Sequence, residues 1–120
     1  MRRLAILLPL VLCFALVARA QDGTETVFGH PVYVFEFTDA GFSPSTLRTN
    51  PGKSAIFIRN LTTFTQNFTV TRKREGKKKL LFSGAPIAGQ SITGTTKFRS
   101  GDVFIVKETN SGQQVKIRVE

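Results

Sequence analysis

The chain has 120 residues, with 17 Lys and Arg against 8 Asp and Glu and a formal charge of +9. A single Cys, a single His and no Trp exclude a disulfide framework and a multi-thiolate metal site. The length predicts one domain, and 11 Phe point to a compact aromatic interior.

The chain opens on "MRRLAILLPLVLCFALVARA". Two arginines, an apolar run from Leu4 to Val17 and a small-x-small ending at Ala18-Arg19-Ala20 predict a cleaved signal peptide over residues 1–20. The run is short for a membrane span, which takes about 20 apolar residues, so no transmembrane span is expected after cleavage. Cleavage removes Cys13 together with Arg2, Arg3 and Arg19, leaving 14 basic residues against 8 acidic ones, a formal +6. The remaining chain of about 100 residues is long enough to bury a core without staples. Residues 21–31 read as a loose polar lead-in, with His30 in solvent.

Residues 32–120 form the expected domain. Period-two apolar runs recur between turn signals: "VYVFEF", "SAIFIRN" after Pro51-Gly52, "NFTVTR", "KKLLF", "SITGTTKF", "DVFIVKE" after Ser100-Gly101, and "QQVKIRV". No segment has a helical period. Seven or eight short strands at this spacing predict an all-β Greek-key sandwich or barrel. Within it, "TVTRKREGKKKLLF" reads as a hairpin turning at Glu75-Gly76, where glycine suits a positive φ. Arg72, Lys73, Arg74, Lys77, Lys78 and Lys79 flank that turn.

The order "FSPSTLRTNPGKSAIFIRN", "QNFTV", "APIAGQSITGTTKF", "SGDVFIV" resembles a cupredoxin, the blue-copper fold, over about residues 32–120. Pro44 and Leu47 match the second strand, Pro51-Gly52-Lys53 the turn before the third, and Asn60 its terminal asparagine. The family places one copper-binding His before the "NF" strand, and a Cys, a His and a Met in the last loop. Carried onto this chain by spacing, those positions read Gln66, Lys107, Asn110 and Gln113. A type 1 copper centre needs two imidazoles and a thiolate, and none stands there. The resemblance therefore implies the scaffold without its metal and without any other cofactor. Gln66, Asn110 and Gln113 are then either plain loop residues or a hydrogen-bonded amide plug in the metal's place.

Asn60-Leu61-Thr62 and Asn67-Phe68-Thr69 fit the N-glycosylation acceptor pattern. Asn67 opens a strand, which makes Asn60 the better candidate. No nucleophile–base set emerges; Glu36, Asp39, Asp102 and Glu108 are individually ordinary, and no enzyme is expected. The basic hairpin reads either as protection of an exposed sheet edge or as an anion-binding patch. For an exported protein, periplasmic or extracellular, its partner would be a lipid headgroup, an acidic polysaccharide or an acidic protein. Nucleic acid is not expected, because the hairpin lacks interleaved aromatics. The resulting expectation is a non-catalytic accessory protein that docks on a larger assembly or an anionic surface through this hairpin. The alternative, from the family resemblance alone, is a periplasmic electron-transfer or copper-handling cupredoxin.

Overall fold

The computed structural model describes residues 24–27 in their backbone and residues 30–120 in full. The signal segment over 1–20 lies outside the described residues. The described residues form ten strands and no helix. The strands are β1 (Thr24–Val27), β2 (His30–Thr38), β3 (Gly41–Ser43), β4 (Thr46–Thr49), β5 (Gly52–Asn60), β6 (Phe68–Arg74), β7 (Lys77–Gly84), β8 (Ser91–Phe98), β9 (Val103–Glu108) and β10 (Gln114–Val119). The expected all-β sandwich is thus what the chain forms. The short strands β1 and β3 raise the total above seven or eight, because runs of 4 and 3 residues are too short to show a period of two.

The strands make two five-stranded sheets. In the first, the order is β1-β2-β5-β8, with β3 also paired to β2. In the second, the order is β4-β10-β9-β6-β7. The pairs β2–β5 and β4–β10 are parallel, which a chain of simple hairpins cannot produce. The lead-in is not loose throughout: β1 pairs antiparallel with β2, placing Val27 opposite His30, and His30 begins β2 instead of lying in a flexible tail. Backbone pairing outweighs the polar composition that argued for a loop.

Alternation decides which side chains meet between the sheets. Tyr33, Phe35 and Phe37 of β2 and Ile56 and Ile58 of β5 face Phe68 and Val70 of β6, Phe104 and Val106 of β9, and Val115, Ile117 and Val119 of β10, all buried. Aromatic rings link the layers. Phe37 meets Phe68 edge-on with centroids 5.4 Å apart, and Phe98 lies 4.5 Å from Phe104. Such pairs contribute beyond the area they bury.

Two strands carry a polar group at the end of a buried apolar row. The inward row of β5 ends on Asn60. The inward row through β9 runs Asp102, Phe104, Val106, Glu108, so a buried carboxylate stands at each end of it. The long axis of the sandwich therefore has two polar ends. Loops 38–41, 61–67, 85–90 and 109–113 gather at the Asn60 and Glu108 end. The β6–β7 turn and loop 99–102 gather at the Asp102 end.

Candidate functional site

A cleft of about 330 Å³ opens at the Glu108 end, lined by Phe37, Thr38, Asp39, Gln66, Glu108, Asn110, Ser111 and Gln113. Gln66, Asn110 and Gln113, three of the positions singled out in the sequence, therefore converge. Lys107 does not join them. It is exposed and paired across the ladder with Gln114, because the pleat of β9 turns it outward. The residue that points into the cleft from this strand is Glu108, 1% exposed. The spacing that placed Lys107 inside is off by one residue, and a one-residue slip exchanges the faces of a strand.

Glu108 is not an ordinary carboxylate. Its Oε1 accepts the Ser111 N–H at 2.7 Å, and its Oε2 accepts the N–H groups of Asn110 at 3.1 Å and Asn67 at 3.3 Å. The main chain closes the same loop: Glu108 donates to the Gln113 carbonyl and Gly112 donates back to the Glu108 carbonyl, both at 2.9 Å. Burial pushes the Glu108 carboxyl up, but the amides of Ser111, Asn110 and Asn67 outweigh it and hold the group below the usual carboxylate range. One anion thus ties the 109–113 loop to the start of β6.

The amides form no plug among themselves. Gln66 donates from Nε2 to the Thr62 hydroxyl at 2.9 Å, and the side chain of Gln113 lies over Gly41. Gly41 has φ 110°, and a Cβ there would run into the Gln113 amide, so the position demands glycine. Of the two readings left open for these amides, the plug is not what the chain forms, and the loop clamp comes from the Glu108 carboxylate.

Asn60 is a second hub. Its Nδ2 donates to the carbonyls of Phe64 at 2.7 Å and Pro86 at 3.0 Å, and its Oδ1 accepts the Thr62 N–H at 2.9 Å and hydroxyl at 2.7 Å. Asn60 is fully buried. It therefore does not serve as a glycan acceptor in the folded protein, since the nitrogen a glycan would occupy already uses both of its protons. Asn67 is exposed, so the preference between the two sequons is reversed.

At the opposite end, the basic hairpin is β6–β7, turning through Glu75 and Gly76 at φ 53° and 78°. Positive φ at both central residues is the turn that suits the strand twist. Its six cations do not share one surface. Arg72, Arg74, Lys77 and Lys79 fall on the inner face, and Lys73 and Lys78, paired with each other, fall on the outer face. Arg74 is committed to the buried Asp102: its Nε and Nη2 both reach that carboxylate at 2.7 Å. The guanidinium of Arg74 outweighs the effect of burial and, with the Arg99 N–H, holds Asp102 below the usual carboxylate range. The other five hairpin cations make no ion pair among the described residues.

The architecture is the cupredoxin fold. An auracyanin from the photosynthetic bacterium Roseiflexus castenholzii superposes with a TM-score of 0.59 at 10% identity, over 74% of this chain and 95% of that one. An amicyanin variant in its Cu(I) form gives 0.57 at 16% identity, over 80% of this chain and 87% of the other. A purple cupredoxin from Nitrosopumilus maritimus gives 0.54 at 16%, over 72% of this chain and 98% of that one. No protein-family model and no curated protein sequence matches the chain. Likeness at this identity carries the fold, while function rests on the residues of the site.

The copper that the fold brings to mind does not suit this cleft. Its donors are the amides of Gln66, Asn110 and Gln113 and the carboxylates of Asp39 and Glu108, with no imidazole and no thiolate. Those are hard oxygen and weak amide donors, where type 1 copper takes two nitrogens and a sulfur. Glu108 already spends its oxygens on three backbone amides. Among the described residues, no group of three or more His, Cys, Asp or Glu is placed to hold a metal ion.

Proposed function

We propose that this is an exported, non-catalytic binding protein that uses a copper-free cupredoxin-like scaffold to hold a basic hairpin against an anionic partner, as an accessory subunit of a larger assembly or on an anionic surface. The observation that carries the reading is the state of the hairpin. Its five unpaired cations sit on two hydrogen-bonded strands, and the sixth anchors the arm through the Arg74–Asp102 pair. An arm already ordered in this way loses little further freedom on binding. The likeness to auracyanin and to a Cu(I) form of amicyanin makes an electron-transfer or copper-handling protein the alternative, but the cleft's donor set does not suit a redox copper.

Export rests on the layout of residues 1–20. A mass for the secreted protein that begins at Gln21 supports it, and an intact form starting at Met1 in the membrane fraction contradicts it. Among the described residues no helix is long and apolar enough to cross a membrane.

The hairpin reading is tested with immobilised dextran sulfate and with vesicles containing phosphatidylglycerol. Wild type is expected to bind at least one of them at low ionic strength. Binding should fall away as salt rises and the screening length shrinks toward about 8 Å. Reversing the charge at Lys77, Lys78 and Lys79, all exposed, should abolish binding with thermal stability unchanged. Full binding by that variant would reduce the hairpin to protection of the β7 edge.

A further inference from the structure

The strand register shows a larger feature than the hairpin. Across the outer face of the second sheet, Arg48, Arg118, Val103, Lys73 and Lys78 are successive ladder partners in β4, β10, β9, β6 and β7. Four cations therefore stand in one line at right angles to the strands. At about 4.8 Å per strand the line is roughly 19 Å long. The same face adds Lys116 and Lys107 on the rows beside it. No acidic residue occupies an outward position within these strands. Glu120, just past β10, touches Arg48 at 3.3 Å, with both side chains largely exposed, and an ion pair of that kind contributes little.

A shallow concavity of about 330 Å³ lies between β4 and β10 on this face, lined chiefly by Thr46, Arg48, Gln114, Lys116 and Arg118. It sets a hydroxyl and an amide beside three cations, which is the mixture that recognises an anionic group together with neighbouring hydroxyls.

From the line and the groove together, we infer that the outer face of this sheet binds a linear acidic polysaccharide, laid across the strands with its sulfate or carboxylate groups along the row. The inference rests on the reading that the protein docks on an anionic partner, and it names the partner and enlarges the surface from a hairpin to a sheet. Charge complementarity selects a polyanion, and the single-file arrangement selects a chain. A lipid surface suits the face less well. Stable attachment to a bilayer takes apolar anchors beside the cations. Of the exposed large apolar side chains among the described residues, Leu80 alone stands on this face, paired with Thr71, while Leu61, Phe64 and Ile87 stand in the loops at the opposite end of the sandwich. No aromatic side chain points out from these five strands, so unpaired bases find no stacking platform either.

The test titrates the protein with dextran sulfate and polygalacturonate, with neutral dextran as control and phosphatidylglycerol vesicles as the competing surface. The double variant Arg118→Gln, Lys116→Gln removes two cations of the face on β10, three strands from the hairpin's outer edge. The double variant Lys53→Gln, Lys97→Gln removes the same charge from the outside of the first sheet, where those residues are ladder partners. Wild type is expected to bind at least one acidic polymer and not neutral dextran. The β10 variant should bind it about fivefold to tenfold more weakly, the size expected from losing two charge contacts, and the first-sheet variant should stay within about twofold of wild type. Equal weakening in both variants would mean that net charge alone is read, and would overturn the inference. So would tighter binding to the vesicles than to either polymer. If the β10 variant binds as wild type while the hairpin charge reversal abolishes binding, the sheet face falls and the hairpin reading stands. If wild type binds neither polymer nor vesicles, both fall.

Discussion

Replacing Glu108 with Ala is expected to lower the stability of the fold by about 3–5 kcal/mol, on the order of the loss seen when a buried, hydrogen-bonded charge is removed. Three amide donors lose their acceptor at once, and the 109–113 loop loses its tie to Asn67. Glu108→Gln keeps the volume but accepts through one neutral oxygen and brings an NH2 group toward donors, so its loss should be about half as large. The pH dependence follows from the same contacts. The folded protein holds this carboxyl below its usual range, so the unfolded chain takes up the proton first as pH falls. The stabilisation is complete above the ordinary carboxylate range, about pH 4–5, and is lost as pH drops through the depressed folded value. Asp102, depressed by Arg74, acts in the same direction. Denaturant unfolding from pH 7 downward should therefore show a shallower acid slope in Glu108→Ala than in wild type. An unchanged slope would mean that Glu108 is not the clamp.

A loss of similar size is expected at Asn60, where two substitutions separate hydrogen bonding from volume. Asn60→Ala leaves a cavity and strips partners from the Phe64 and Pro86 carbonyls and from Thr62. Asn60→Asp keeps the shape but replaces two donors by a carboxylate oxygen, which then faces those carbonyls in a fully buried site. Both variants should be destabilised by roughly 3–5 kcal/mol. If packing were the role of Asn60, the Asp variant would be close to wild type. Chemical denaturation of the two side by side decides this, and hydrogen exchange should quicken first at Thr62, Gly89 and Gln90, whose amides belong to the same loop junction.

The sandwich was legible because its signal is redundant. Alternation in β2, β5 and β10 assigns a buried face several times over, and Phe35, Ile56 and Ile117 all fall where the period places them. β9 was not legible at its end, for a physical reason. Its two faces read Val103, Ile105, Lys107 and Phe104, Val106, Glu108, each two apolar residues followed by a charge. Hydrophobicity alone does not choose between them, and spacing from Gly101 chose the wrong one. What buries Glu108 is a set of backbone amides on a loop, Ser111 and Asn110, together with Asn67 about 40 residues earlier in the chain. No local pattern announces such partners. Asn60 hides its role in the same way, because its acceptor in Pro86 is 26 residues away. The cationic row across the second sheet was invisible for a topological reason. Arg48, Arg118 and Lys73 meet only because β4 pairs parallel with β10, and β10 and β6 flank β9.

This cupredoxin-like scaffold ties its 109–113 loop to β6 through the Glu108 carboxylate and three backbone amides, where a metal would otherwise organise the loops. Thermal unfolding of the purified chain with and without a slight excess of Cu²⁺, followed by dialysis and metal analysis, tests it directly. A ligand that binds the folded state raises the melting temperature by mass action, and a thiolate-bound copper adds a blue charge-transfer band. An unchanged melting temperature, no such band and less than stoichiometric copper after dialysis are expected. Stoichiometric copper retained by the wild-type protein, with a raised melting temperature, would contradict it.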